Sequence, residues 1–205
     1  MLTERNLVVK KIIIFLSVIL ILLFIIGLYK NKTSNTDPLM QVDNYQNQYW
    51  DTVKKHNVLI QLGEFDSGAK QDLKNLKRLY GKIEDKINKD SDFYKELNNL
   101  KKGYDKNIEK AQTQMEMNML SGEYLENTDK ILNEVYQQIR ITTEAEDFEK
   151  LKASEIRWVK ELKDYQKYIG QQDFGSIGGL IYTKTSQDII NFRTLLLIYY
   201  LEQMS

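Results

Sequence analysis

Four acidic side chains, Glu144, Glu146, Asp147 and Glu149, crowd one short stretch of this sequence. Paired carboxylates are the equipment of glycoside hydrolysis, one protonated to act as acid and the other ionised. That division of labour needs one of the two to be desolvated. Here Lys150 and Lys152 stand beside them in a polar junction between two apolar-periodic segments. The cluster therefore reads as a solvated helix start, not as an acid–base pair. His56 is the only histidine, and there is no cysteine. A lone imidazole makes no zinc site, and thiol nucleophiles and disulfides are excluded outright. The run Gly175-Ser176-Ile177-Gly178-Gly179 suggests a phosphate cradle. It has neither the P-loop nor the dinucleotide spacing, and no strand precedes it. The expectation is a protein that is not an enzyme and uses no metal and no cofactor.

The chemistry that remains is recognition, and helices must position it. Ile131, Leu132, Val135, Tyr136 and Ile139 fall on one helix face. Leu151, Glu155, Trp158, Leu162, Tyr165 and Ile169 follow at spacings of four and three, a second stripe. Trp158 on that stripe reads as core, because burial of its ring alone explains it. Four of the ten glycines lie between Gly170 and Gly179. That density predicts a long loop over 171–181, followed by an N-cap at Thr185 or Ser186 and a helix running to Leu201. Arg193 lies among Ile189, Ile190, Phe192 and Leu195, where a charge needs a partner. Its expected role is structural, tying the last helix to the loop or to Glu155.

Upstream, Asp37-Pro38 is a helix start, with Asp as cap and Pro where its missing N–H costs nothing. Three further apolar stripes follow, built on Leu39 to Val53, on Leu73 to Ile87 and on Leu97 to Met115. No stretch alternates convincingly with period two, so the predicted fold class is all-α. The stripes of residues 38–111 are narrow and their outer faces charged. They suggest a helical stalk or hairpin, or else a second partner-binding bundle. The expected division is 1–11 as a cytoplasmic N-terminus, 12–29 as a transmembrane signal anchor, 30–111 as tether and stalk, and 112–205 as a small helical domain.

The anchor rests on eighteen uncharged residues at 12–29, close to the length that spans a bilayer's hydrocarbon. Lys30 and Lys32 follow directly, without the small residues of a signal-peptidase site. Arg5, Lys10 and Lys11 precede it, a slight bias toward a cytoplasmic N-terminus. The chain is thus expected in the cell membrane as a single-pass protein, with the bilayer as one partner and its C-terminal bulk outside.

The C-terminal residues also carry a likeness. Asp129, Leu132-Asn133 and Tyr136 are followed by Leu151, Ala153 and Trp158, then by the glycine stretch and by Arg193 with its leucines. Gln114, Met115, Met117 and Asn118 lead in. Over roughly residues 112 to 201 the chain resembles the lysozyme inhibitor LprI family of bacterial envelope proteins. It departs by lacking cysteines, by placing Ile190 where a Thr is usual, and by Glu161-Leu162-Lys163-Asp164 after the Trp. The resemblance implies a small helical domain outside the membrane that binds a protein, with lysozyme or another wall hydrolase as the target. Structural roles fall on Leu132, Asn133, Tyr136, Trp158 and Arg193.

Charge agrees in sign. Residues 112 to 205 hold 10 Lys and Arg against 15 Asp and Glu, hence −5, while 31 to 111 hold 15 against 13, hence +2. An acidic module is steered toward basic enzymes, and the small excess elsewhere gives no case for nucleic acid. Two functional readings follow. In the first the protein blocks a wall hydrolase by occlusion, through a loop made of Phe174, Gly175, Ser176, Ile177, Gly178 and Gly179 with Tyr182 behind it. In the second it is an envelope scaffold or sensor with no inhibitory activity.

Overall fold

A computed structural model describes the backbone of residues 37–62 and 67–204 and the side chains of 37–54 and 70–204. The expected anchor at 12–29, the tether after it and the side chain of His56 lie outside the described residues. Among the described residues no helix is long and apolar enough to cross a membrane.

Everything described is helical or turn. The elements are α1 (Pro38–Leu62), α2 (Ser67–Glu84), α3 (Asp92–Ile108), α4 (Gln114–Thr142), α5 (Ala145–Gly170), a single 3-10 turn (Gly175–Ile177) and α6 (Gly178–Met204). Starts follow local chemistry. Helix α1 begins at Pro38, and α3 begins after Ser91. At α4, Thr113 accepts from the Glu116 amide, while the Glu116 carboxylate accepts from the amides of Gln112 and Thr113. This reciprocal cap satisfies free N–H groups at the helix start, and the Gln112 and Thr113 amides hold the Glu116 carboxyl below its usual range.

The core is α6. From 189 to 201 every side chain is buried, including those facing opposite sides of the helix. A helix that is apolar all round must be enclosed, and the other five enclose this one. Helix α1 brings Tyr49, which stacks on Phe192 at a centroid distance of 4.3 Å, and α2 brings Tyr80, whose ring meets Phe192 edge-on at 5.0 Å. Tyr80 donates to the Asp188 carbonyl at 2.8 Å. From α4, Tyr124 accepts from the Asn191 amide. From α5, Glu155 accepts from Arg193 at 2.9 Å.

This arrangement corrects the expected division at residue 111. Pro38–Ser205 is one compact unit. The segment expected as a stalk supplies α1, α2 and α3 to the same core as residues 112–204. Its stripes are narrow because each helix needs only one face for α6, and α6 supplies apolar surface in every direction.

The glycine stretch is also corrected. Only 171–174 is irregular. Gly175 has φ +59°, a left-handed backbone that glycine adopts freely, and it opens the 3-10 turn. Helix α6 then starts at Gly178, ahead of the expected cap. Thr185 and Ser186 are buried within it, and Ser186 accepts from the Gln166 side chain at 2.9 Å. Gly178 and Gly179 occupy the first turn, where a helix is least sensitive to residue type because its N–H groups have no intrahelical acceptors in any case.

Candidate functional site: an exposed turn and a buried ion pair

The exposed turn begins where α5 ends. Gln171 closes that helix, and the Gln172 side chain donates back to the Tyr168 carbonyl at 3.3 Å. Asp173 accepts from the Gly175 amide at 3.1 Å, which sets the bend into the 3-10 turn. Of the residues expected to form a partner-binding loop, Gly175, Ser176, Ile177 and Gly179 are exposed, as is Tyr182 one turn into α6. Ile177 and Tyr182 are 38% and 36% exposed, large apolar groups left in water. Tyr168, on the last turns of α5, is exposed as well. Phe174 differs. It is half-buried and packs against the core, and its Cβ lies 3.7 Å from where a Cβ on Gly178 would stand. The turn therefore has an anchor, Phe174, and two outward apolar groups, Ile177 and Tyr182.

Well along α6 from this turn, Arg193 fixes the helix to its neighbours. Its side chain is fully buried, and its Nε and Nη2 both donate to Glu155 Oε1. Nη2 also donates to Ser154 Oγ at 3.0 Å, and Ser154 in turn donates to Asp43 of α1. Asp43 takes a second bond from Arg157 at 2.9 Å, at the protein surface. The guanidinium lies 5.7 Å over the Trp158 ring. One buried cation thus ties α6 to α5 and, through Ser154, to α1. A buried charge demands this many partners. Trp158 is only 5% exposed and forms part of that enclosure.

The remaining sequence-selected residues fall elsewhere. Leu132 is buried on α4. Tyr136 is half-buried and tilts against Phe148 at 5.3 Å. Asn133 sits on the outer face of α4 and donates to the Asp129 carbonyl at 2.8 Å. It makes a local helix contact only. In the acidic stretch Glu144, Glu146 and Glu149 are exposed and Asp147 is half-buried. Lys150 reaches both Glu146 and Asp147 at 2.9 Å, and those two hydrogen bonds raise its pKa. Lys152 pairs with Glu149 at 3.1 Å. None of these carboxylates is in the desolvated setting a general acid needs. Among the described residues no group of acidic and histidine side chains is placed to hold a metal ion.

Sequence reasoning missed one feature altogether. A cleft of about 460 Å³ opens between α2 and α3, with α6 as its floor. Its one local signal was Gly81 inside a helical stripe.

Residues 105–197 match the sequence model of the lysozyme inhibitor LprI family. The match takes in the end of α3, all of α4 and α5, the exposed turn and most of α6, with Glu155, Trp158 and Arg193 inside it. It covers less than half of the chain and leaves out α1 and α2, although both pack on α6. Neither curated proteins nor solved structures gave a match to this chain.

Proposed function

We propose that this is a membrane-anchored binding protein that occludes a cell-wall hydrolase, with lysozyme-type enzymes first among the targets. The match of residues 105–197 to the lysozyme inhibitor LprI family carries the reading. The exposed turn supports it. A partner cleft is entered most easily by a projecting segment, and Ile177 and Tyr182 give such a segment two apolar contacts. Phe174 braces the turn from below. The net charge of residues 112–205 favours encounter with a basic enzyme. Binding by occlusion asks no catalytic group of the chain, so the protein is read as an inhibitor and not as an enzyme.

The uncharged stretch 12–29 supports anchoring, with the C-terminal bulk outside the cytoplasm. Protease added to intact cells should digest Pro38–Ser205 and spare a small membrane fragment. A mature protein that begins after residue 29 and is recovered free of membrane overturns the anchor.

The inhibitory reading is tested by titrating the full chain against a panel of wall hydrolases, basic ones first. Inhibition of at least one enzyme is expected, and the double variant Ile177→Ser, Tyr182→Ser should weaken it by roughly tenfold or more while the melting curve stays put. If no enzyme in the panel is inhibited, the scaffold or sensor reading takes its place.

A further inference from the structure

We propose that the cleft between α2 and α3 is a binding site for an organic cation: a positively charged N–H group carried on an apolar stem. The inference is independent of the hydrolase reading, because all of the cleft-lining residues lie on elements other than the exposed turn.

The cleft exists because its two walls lean apart. Helix α2 packs on α1 and α6, whereas α3 packs on α4 and α6. The space between them is of the size that takes a small ligand. Leu73 and Leu76 line one side, Leu97 the other, and Leu195 the floor, so a stem is bound by apolar contact. Deeper in, the floor is polar. Asn191 is nine-tenths buried, and its Nδ2 is used in donating to the Tyr124 hydroxyl. Its Oδ1 faces no donor. A buried acceptor without a donor is costly, and a small turn of the Asn191 side chain toward the cleft would let a ligand N–H remove that cost.

The charges select the sign. Glu84 and Asp188 line the cleft and are half-buried, and the aromatic residues Tyr80 and Tyr94 line it with them. The phenols of Tyr49 and Tyr80 are pushed upward first by burial and then by neighbouring groups, Asp188 among them, and that of Tyr94 by burial and then Glu84. Two half-buried carboxylates, one from α2 and one from α6, thus line the cleft. Of the two lysines that line it, Lys101 is drawn off to Asp105 at 3.1 Å, and Lys77 stands exposed at the rim.

Gly81 keeps the space open. It sits on the wall, in the body of α2, where a helix disfavours glycine. A Cβ built there meets nothing within 4 Å. A methyl group at this position would thus meet no clash, and a longer side chain has the cleft to grow into.

Benzylammonium and its neutral counterpart benzyl alcohol are the probes, titrated into the full chain by calorimetry, with amide chemical shifts read at Gly81 and Asn191. Benzylammonium should bind saturably, about tenfold more tightly than the alcohol, and shift both amides. Gly81→Leu should abolish binding at an unchanged or higher Tm, Gly81→Ala should keep the fold and weaken binding only mildly, and Glu84→Gln should weaken it several-fold. Equal affinity for the two probes overturns the proposal, as does binding that shifts neither amide or that survives in folded Gly81→Leu. So does the absence of saturable binding. Should Gly81→Leu not fold, the shifts at Gly81 and Asn191 in the parent protein decide. A final arm identifies the source of the cation. If an inhibited hydrolase displaces benzylammonium, the natural occupant is a lysine or arginine of that enzyme. If it binds without displacement, the occupant is a free amine. A panel with no inhibited enzyme sinks the hydrolase reading and leaves the cleft result standing.

Discussion

The two ends of α6 obey different rules. The inner part, 185–201, is enclosed almost completely, and even its polar members Thr185, Ser186, Gln187, Asn191, Arg193 and Thr194 are buried. The outer end, with the 3-10 turn that leads into it, leaves Ile177 and Tyr182 in water. At the inner part polar atoms are shut off from water and many are paired within the protein, so one side chain, Arg193, ties three helices together. At the outer end water satisfies the backbone, so side chains are released from structural duty and are available for contact. The comparison teaches that the stability and the recognition expected of this protein are separable by substitution, although one helix carries both.

The strongest way to break the comparison is Arg193→Met. It leaves Glu155 buried without its cation and should cost about 3–5 kcal/mol in a denaturant titration. The double variant Arg193→Met, Glu155→Met should recover a large part of that loss, since both charges then leave together. A single-variant cost within the error of a surface change would mean that Arg193 is hydrated and not a tie. Trp158→Ala removes the ring beneath the same guanidinium and should cost roughly 3 kcal/mol or more. A value below about 1 kcal/mol would return Trp158 to the list of contact residues.

Alkaline titration tests the inner region without mutation. Burial, before any other cause, raises the phenol of Tyr124 from 10.0 to about 12, against the hydrogen bond from Asn191 that lowers it. Tyr49 and Tyr80 are raised as well, again first by burial. A raised phenol pKa means that the folded state holds the proton more tightly. Its contribution to stability is therefore complete below pH 10.0 and is lost as pH climbs toward about 12. For Tyr124 this amounts to about 2–3 kcal/mol. Tyrosinate absorbance should rise in two parts, exposed phenols first and these three together with loss of helix. A single smooth rise near the free phenol value would show them to be hydrated.

Glycine substitutions sharpen the boundary between the two ends. Gly175→Ala should destabilise by about 1–2 kcal/mol, because φ there is positive. Gly179→Ala should have a much smaller effect, a gain well below about 1 kcal/mol, because its Cβ meets open space and a first-turn position is little affected by residue type. Equal effects at both would mean that the turn is conformationally soft. The smallest effect on stability belongs to Ile177→Ser with Tyr182→Ser, within about 0.5 kcal/mol in thermal melts. A larger loss would make the turn a cover for the core and remove it as a probe.

The sequence by itself determined what depends on near neighbours. Helical period, the starts at Pro38 and after Ser91, and the stripe that carries Trp158 follow from propensity, capping and spacing within a few residues. Even the partner of Arg193 was half legible, because an arginine in an apolar run needs an acceptor and the sequence offered the loop or Glu155; the structure selects Glu155. The tertiary structure alone decided which stripe meets which. An apolar face specifies burial but carries no address, so the surrounding of α6 by α1, α2 and α3 had no local signature. The start of α6 at Gly178 was decided in the same way. Enclosure of Thr185 and Ser186 between neighbouring helices overrode their preference for a cap, and glycine's low propensity costs little in a first turn. The cleft over Asn191 lies furthest from local signals, since it is a space between helices and becomes visible only when all of its walls are in place.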